Sequence, residues 1–515
     1  MKKTFGKIIA SKSIFLNRAT NFFEDLLSKN EFAFIFWSTI IFYFLLFFNP
    51  NNKTLVISFF LYLGFLFFFT KDFKKSLLLA FLASWPILVG KTYEIKLITT
   101  QQLNMPSRPY GVNELIVISV REIFISLMFI LLIREFILGK RKIFKFDIFA
   151  FSLGLFFVSL VIAAVFGSIR PNISLIFSLF YLEPIIFYFY LRNLIQEKKK
   201  ILMPSLMVFA AIVIFEAILA TLQFIKQGAV GLSLEISQKF LPLSLGVDED
   251  ISFLRPVATF YHANQLAQFI LPYLFLLLPS LFLFFKKLNN LMLIAFMASF
   301  WVLLLSLGRS AWISFLVCFL AFLFILEKRW HLRLKIRKKV IRFLLLSLPF
   351  VLPVFFLYLM PRLINTFYAF QVYGGAYTRI ILFKESFDII KQFPFFGVGL
   401  GMDVFYSYQQ SLFKTTSIFS YLPEAVHNGY LHLLVQAGIF SLLIFLFTCS
   451  LFLRNLLRAI KNQPNLIIKA LQLAVFLGLL APFLNDLFQG YIPNLHEIIF
   501  FTIIYSSSNQ LKDLI

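Results

Sequence analysis

Apolar runs close to 20 residues long recur along nearly the whole of this 515-residue chain, and they limit its possible folds more than any other feature. An α-helix of that length spans the hydrocarbon core of a bilayer, which is roughly 30 Å thick. Hydrophobic residues make up 60% of the chain and charged residues only 14%, whereas soluble domains are about half apolar and a quarter charged. We therefore predict an all-α polytopic membrane protein.

The apolar runs predict about fourteen transmembrane helices, with twelve as the lower limit. Three connecting segments are long, at 91–113, 226–262 and 361–427, and loops of that length in a compact protein are usually functional. We expect the last of them to form a partly helical cap. The predicted spans lie near residues 32–49, 54–70, 76–90, 114–133, 148–168, 173–191, 203–225, 263–285, 290–307, 310–326, 343–360, 428–453, 466–485 and 490–507.

The distribution of basic residues orients these spans. With the N-terminus inside and strict alternation, the inner segments hold about two thirds of the 48 lysines and arginines, although all the longest loops fall outside. Such an excess of lysine and arginine is typical of cytoplasmic loops. The net charge of +24 is thus a topology signal and a match for anionic lipid headgroups. We predict a multi-pass protein of the cytoplasmic (inner) membrane with a cytoplasmic N-terminus, and no nucleic-acid partner.

Two arginines stand where predicted helices begin on the outer face. Arg309 lies in SLGRSAWISF and Arg379 in the loop 361–427. A cation in the first turn of a helix has the unfavourable charge for the helix dipole. The pattern is explained if a phosphate lies between the helix end and the arginine, because guanidinium groups bind phosphate oxygens in pairs. The alternative is that these arginines extend to lipid headgroups.

His427 opens an apolar run in the sequence HNGYLHLLVQAGIF. Ser420 as a cap and Pro423 in the first turn predict a helix that begins upstream and contains His427 near its start. A neutral imidazole there is suited to act as a general base, and Glu424, three residues back, would orient the ring. The alternative is an interfacial histidine at a wet helix end.

The remaining polar features of the sequence are an acidic patch, two cysteines, a glycine run and charges inside the predicted spans. Asp248 and Asp250 could hold a divalent metal over a lipid phosphate, but such acidic patches are usually solvated turns. The two cysteines lie in apolar runs, so no disulfide framework or metal cluster is expected. The glycine run 397–403 is interpreted as a turn that redirects the loop. Charged residues inside spans, such as Glu183 and Glu216, line a path or form structural pairs.

In combination, these motifs resemble the bacterial O-antigen ligase and polymerase family, over roughly residues 250 to 450. The segment with Arg255 and Asn264 is similar to the family's Arg…Thr-Phe…Asn segment before a span. The resemblance rests on RPVATFYHANQLA at 255–267, GRSAW at 308–312, Arg379 followed by Pro394 and Gly397-Val398-Gly399, and His427-Asn428 followed by Gly438.

The resemblance implies a GT-C-like membrane glycosyltransferase without metal or cofactor. It would transfer or polymerise a glycan from an undecaprenyl-diphosphate carrier onto a hydroxyl of a glycan, of lipid A core or of another acceptor, at the outer face of the membrane. His427 would act as the base in an inverting displacement, with Arg309 and Arg379 on the diphosphate. The substrate-binding residues implied are Arg255, Asn264, Arg309, Arg379, Asn428 and Glu424.

Two departures from the family pattern weaken the assignment of this chain to the protein-glycosylating branch of the family. The protein-glycosylating branch has a leucine where Phe383 stands and a Gly-x-x-Gly motif where this chain has Gly438-Ile-Phe-Ser441. The choice between ligase and polymerase stays open. The chain is predicted to comprise a cytoplasmic basic N-terminus (1–31), an N-terminal transmembrane bundle (32–249), an O-antigen ligase-like catalytic region (250–453) and C-terminal helices (454–515).

Two other functions fit a chain of this kind. A flippase or transporter of lipid-linked sugars would place its polar residues near the bilayer midplane and in two matching halves. A peptidoglycan-type polymerase would use an aspartate of the large loop, Asp388 or Asp403. The crowding of polar residues at outer helix starts favours the glycosyltransferase.

Overall fold

A computed structural model of the chain is mostly α-helical in the residues that it describes. These are residues 31–46, 52–87, 90–94, 115–139, 146–168, 170–231, 242–244, 252–282, 290–331, 375–401, 426–489 and 494–511, with a few isolated positions besides. The principal helices are α1 (Glu31–Leu46), α2 (Asn52–Thr70), α3 (Phe73–Ser84), α4 (Val120–Ile137), α5 (Ile148–Phe166), α6 (Pro171–Leu179), α7 (Glu183–Gln196), α8 (Leu202–Lys226), α9 (Ala263–Leu277), α10 (Asn290–Leu305), α11 (Arg309–Phe324), α12 (Gly375–Gln392), α13 (Gly429–Asn462), α14 (Leu466–Asn485) and α15 (Leu495–Ser506).

Seven helical stretches of the described residues are long and apolar enough to cross a membrane. They are α5, α6 together with α7, α8, α9 with its final 3-10 turn, α11, α13 and α14, while α1, α2, α10 and α15 are shorter apolar helices. The predicted fold class, an all-α polytopic membrane protein, is confirmed. The span predicted near 343–360 lies outside the described residues.

Asparagine and aspartate residues begin several of these apolar helices. Asp147 accepts hydrogen bonds from the first-turn amides of α5, and Asn465 does the same for α14. Asn494 caps α15. A cap of this kind contributes about 1 kcal/mol, and it satisfies amide groups that lipid cannot. Short polar side chains at the boundaries therefore set where the long runs become helix.

Ion pairs hold one end of the bundle together. Lys74 pairs with both Glu135 and Glu197, and Lys199 lies 2.7 Å from Asp72. These residues come from three segments that the charge distribution predicted to share the inner side. The structure therefore places these three segments at the same end of the bundle, while the alternation of the spans and the orientation of the bundle in the membrane stay predictions.

Short antiparallel ribbons occur in two of the long connecting segments that the charge distribution predicts to lie outside. β1 (Gly90–Glu94) pairs with β2 (Leu115–Ser119), and β3 (Pro242–Ser244) pairs with β4 (Ser252–Leu254). The large loop 361–427 contains the helix α12, as expected for a partly helical cap. In their described residues, two of these connections therefore contain paired backbone groups and the third contains a helix.

A non-helical segment, 255–262, enters the bundle beside α8 and is held there by two polar side chains. The Gln223 carboxamide oxygen accepts from the amides of Val257 and Ala258, at 3.0 and 2.7 Å. The Glu216 carboxyl contacts the hydroxyl and amide of Thr259, at 2.7 and 3.1 Å. Of the two readings for this intramembrane carboxyl, the contacts support a structural pair. They fix the approach to α9.

Candidate functional site

Three helix starts and one helix end meet at the same end of the bundle. α9, α11 and α13 begin there, and α14 ends there. The turn 486–489 follows α14 and contacts all three starts through hydrogen bonds. Amide groups at the first turn of a helix carry a partial positive charge. This end of the bundle therefore concentrates positive potential without requiring a lysine.

Arg255 and Asn264 belong to one hydrogen-bond network with this turn. The Arg255 guanidinium donates to the Asn264 carboxamide oxygen at 2.6 Å and to the Ser306 carbonyl at 2.8 Å. The side-chain amide of Asn264 donates to the side-chain oxygen of Gln489 at 2.8 Å, and the side-chain amide of Gln489 donates to the Ser310 hydroxyl at 2.8 Å. The network joins the 255–264 segment to the first turn of α11.

Arg309 is the first residue of α11, as its motif predicted. Gly308 occupies the N-cap position and contributes no side chain to the exposed amides of the first turn. Arg309 is partly buried. It directly precedes Ser310, whose hydroxyl is the last acceptor in the hydrogen-bond network described above. The start of α11 thus presents amides and a guanidinium beside the segment that carries Arg255.

His427 lies just before a helix, so the prediction that it lies inside one, near its start, is wrong. Residues 426–428 are not helical, and Asn428 is the N-cap of α13. The Asn428 amide also donates to the Leu487 carbonyl at 3.0 Å, and the Gly429 amide donates to the Asp486 carbonyl at 2.8 Å. These contacts with a turn about sixty residues away fix the helix start at residue 429, because an asparagine cap competes well with further helix.

His262 is a site residue that the sequence motifs did not single out. It is the N-cap of α9, where its Nδ1 accepts a hydrogen bond from the backbone amide of Asn264 at 3.0 Å. Burial lowers the pKa of His262 to about 4, and electrostatic interactions with Arg255 and with His427 lower it further. His262 and His427 are thus close enough to interact electrostatically, which brings the two histidines into one site.

The turn that follows α12 packs closely against the backbone of α13. The helical path of α13 is interrupted at Gly438, which has φ 75° and ψ 178°. Beside this kink, the amide of Val398 donates to the Val435 carbonyl and the amide of Gly399 to the Gln436 carbonyl, both at 2.9 Å. The described residues of the glycine run, 397–401, therefore form a turn packed on α13, in agreement with its interpretation from sequence.

A small apolar cluster extends this junction toward the start of α13. Its buried members are Ile389 of α12, Val398 of the turn, Val426 and Val435, with Phe383 packed against them. Val426 directly precedes His427, and Phe383 is one turn from Arg379 in α12. Arg379 is the fifth residue of its helix and is partly buried. The cluster therefore positions the Arg379 helix against the segment that carries His427.

Several residues considered from sequence either lie elsewhere in the structure or fall outside the described residues. Asp388 is exposed and pairs with Lys391 at 3.1 Å on the surface of α12, so it is poorly placed for polymerase chemistry. In the described part of the chain, no group of three or more histidine, cysteine, aspartate or glutamate side chains could hold a metal ion. Glu424, Asp248, Asp250 and Asp403 lie outside the described residues.

The fold and the site define a class: a polytopic membrane protein whose arginine, histidine and amide side chains gather at one end of its helix bundle. The family model described as O-antigen ligase matches residues 294–446, a range that includes Arg309, Arg379 and His427. The predicted resemblance to the bacterial O-antigen ligase and polymerase family is thereby confirmed. A comparison with curated proteins found no match to the chain.

The family match and the apolar helices together support a broad function. The apolar helices and the match to the O-antigen ligase model indicate an integral protein of the inner membrane, and the match supports a glycosyltransferase-type activity in the assembly of a cell-surface polysaccharide. Arg255 and His262 precede the matched residues and Gln489 follows them. The site in the structure is therefore larger than the segment that the family model covers.

Proposed function

We propose that the protein transfers a glycan from undecaprenyl diphosphate to an acceptor hydroxyl at the outer face of the cytoplasmic membrane. The observation that carries this proposal is the convergence of three helix starts, α9, α11 and α13, on the turn 486–489. The convergence puts Arg255, Arg309 and His427 at one end of the bundle. A lipid-linked substrate reaches such a site from the bilayer, with its diphosphate at the headgroup level.

The diphosphate is the group that the arginines would bind. A diphosphate leaves readily once its developing charge is stabilised, and fixed donors in a partly dry site provide most of that stabilisation. Arg309 at the start of α11 and Arg379 near the start of α12 each combine a guanidinium with a nearby helix N-terminus. Arginine suits this role because its planar group binds two phosphate oxygens at once.

His427 would remove the proton from the acceptor hydroxyl. In this reaction the acceptor oxygen forms a bond to the anomeric carbon, the bond from that carbon to the diphosphate oxygen breaks, and the hydroxyl proton passes to the imidazole. Direct displacement of this kind inverts the anomeric configuration. The acceptor is a hydroxyl of a glycan, of lipid A core or of another molecule, and the site geometry fits either a ligase or a polymerase.

The arrangement favours this reaction over transport. A transporter of lipid-linked sugars needs polar groups near the bilayer midplane, whereas the network described above lies at helix ends. The intramembrane carboxyl of Glu216 is engaged by Thr259 and supports the loop below the site.

The proposed orientation can be tested with two exposed lysines. Lys391 lies on α12 and Lys461 near the end of α13, so the proposal places them on opposite sides of the membrane. The native cysteines, Cys318 and Cys449, are buried. In intact cells an impermeant thiol reagent should label Lys391→Cys, and Lys461→Cys only after permeabilisation. The reverse pattern would contradict an outer-facing site.

Metal dependence provides a second test of the chemistry. Because arginines and helix ends supply the positive charge in the proposal, we expect turnover to survive EDTA. The assay uses purified protein in nanodiscs with an undecaprenyl-diphosphate-linked glycan. A loss of turnover that Mg²⁺ or Mn²⁺ restores would shift attention to Asp248 and Asp250 as metal ligands.

A further inference from the structure

The imidazole of His262 is fixed by the helix that it caps. Its Nδ1 accepts a hydrogen bond from the backbone amide of Asn264 at 3.0 Å. A ring nitrogen that accepts a hydrogen bond carries no proton. The ring hydrogen of neutral His262 is therefore on Nε2. A carboxylate cap would satisfy the same backbone group without presenting a donor to its surroundings, and the NH2 group of an amide cap would lie closer to the backbone than Nε2 does.

The surroundings of the ring keep it uncharged. The start of α9 has the positive end of the helix dipole, and protonation of Nδ1 would break the cap. The ionisable groups that interact with His262 in the described residues are Arg255 and His427. Both are cationic or neutral, so neither stabilises an imidazolium. Burial lowers the pKa of His262 to about 4, and the interactions with Arg255 and His427 lower the pKa further.

The opposite edge of the ring is available to a ligand. Within the described part of the structure, the His262 side chain forms no hydrogen bond other than the cap, and it is partly exposed. Because the two ring nitrogens lie on opposite edges, Nε2 points away from the end of α9. It therefore presents an N–H donor beside Arg255 and in the vicinity of His427.

We propose that His262 is a substrate-binding residue that donates its Nε2 hydrogen to an oxygen of the carrier diphosphate. The inference rests on the proposed function and adds a binding residue outside the segment that the family model matches. An anionic oxygen is the acceptor that the positive surroundings select. The hydrogen bond to it is stronger than one between neutral groups. A neutral donor also avoids the repulsion that a further cation would meet next to Arg255.

The two histidines would then have opposite tasks in one site. His427 accepts a proton from the acceptor, while His262 keeps its proton and donates a hydrogen bond. Active sites commonly separate such tasks by giving similar groups different environments. Here the cap on α9 supplies the difference, because it occupies the nitrogen of His262 that would otherwise serve as a base.

Two substitutions distinguish binding from capping. In His262→Asn the new side chain can still cap α9, since asparagine is among the best N-cap residues. Its NH2 group lies closer to the backbone than Nε2 does, so the donor at the Nε2 position is lost. In His262→Ala both are lost. We expect His262→Asn to bind undecaprenyl diphosphate on the order of tenfold more weakly than wild type, as for one hydrogen bond to a charged group. Its thermal stability should be unchanged, whereas His262→Ala should also melt lower.

The measurement is the Kd of undecaprenyl diphosphate for the full chain in nanodiscs, with KM and kcat for the linked glycan. A rise in KM with little change in kcat supports the inference. If wild type binds the carrier and His262→Asn binds it equally well, His262 is a cap only. If wild type itself does not bind the carrier, the proposed function fails and this inference fails with it.

A spectroscopic readout checks the tautomer independently of activity. In protein labelled with ¹⁵N in its histidine rings, His262→Asn identifies the His262 signals. They should show an unprotonated Nδ1 and a protonated Nε2 from about pH 5 to pH 8. Addition of undecaprenyl diphosphate should shift the Nε2–H signal. A ring that gains a second proton within this range, or a signal that the carrier leaves unchanged, would overturn the inference.

Discussion

Replacement of His427 by alanine is expected to lower turnover by roughly 10²–10⁴-fold, the usual contribution of a general base. His427 lies before the N-cap of α13 and is only partly buried. The cap itself, Asn428, and its bond to the Leu487 carbonyl remain in the variant. Expression and thermal stability should therefore stay close to wild type, which separates a catalytic defect from a folding defect.

Arg379→Lys is the matched comparison for this variant. A lysine keeps the charge but cannot bind two phosphate oxygens with one planar group, so we expect weaker donor binding and a smaller change in kcat. Donor affinity and turnover are measured for both variants in nanodiscs. If His427→Ala turns over normally while folded, the histidine is an interfacial residue and another group must take the acceptor proton.

The sequence predicts the membrane fold well, because lipid leaves the chain few choices. A run of about 20 apolar residues must be helical to satisfy its own backbone in a bilayer. The polar residues at the boundaries, such as Asp147 and Asn465, then cap the helices. Charge predicts that Lys74 and Lys199 lie on one side, and the structure joins them through a shared acidic partner, Glu197. These signals are local and need no knowledge of packing.

The candidate site was predicted only where a motif marks it. Arg309 and Arg379 were assigned to helix starts from local sequence, and the structure agrees for the first and places the second one turn inside α12. Gln489 was missed because its two hydrogen bonds reach residues 225 and 179 positions away. The start of α13 was misplaced for the same reason, since the Asn428 amide is held by a distant carbonyl.

His262 shows an intermediate case. It stands inside a segment that was singled out, RPVATFYHANQLA, and it precedes Asn264 by two residues. That spacing is the usual one for an N-cap side chain and the amide it binds. A histidine is an uncommon cap, so the sequence pattern pointed to Asn264 instead. Arg255 and His427 give the ring its role. Their proximity to His262 follows from the tertiary structure, in which the segment 255–262 packs against α8, and not from the local sequence.

Gly438 is the residue on which the position of α12 most depends. Its dihedral angles, φ 75° and ψ 178°, belong to a region that only glycine adopts without strain. A Cβ at this position would lie 2.0 Å from the Phe395 carbonyl oxygen. The Ile439 amide donates to the Pro394 carbonyl across the same junction, at 2.9 Å. A side chain here must therefore separate the 394–399 turn from α13.

Gly438→Ala is accordingly expected to reduce turnover by about 10²-fold or more, because a displacement of about 1 Å at a reacting centre can cost that much. The loss would act through Arg379, whose helix is carried by the turn and by the Ile389–Val398 cluster. Backbone strain of about 1–3 kcal/mol should also lower thermal stability. The measurements are turnover, donor affinity and melting temperature of the purified variant in nanodiscs.

Gly154→Ala is the matched control for this substitution. Gly154 lies within α5, and a Cβ there would meet no atom within 4 Å. Alanine is favoured over glycine inside a helix by about 1 kcal/mol, so this variant should fold and turn over as wild type does. Equal activity of Gly438→Ala and Gly154→Ala would mean that the junction on α13 does not position Arg379, and that the arginine acts, if at all, from a separately held loop.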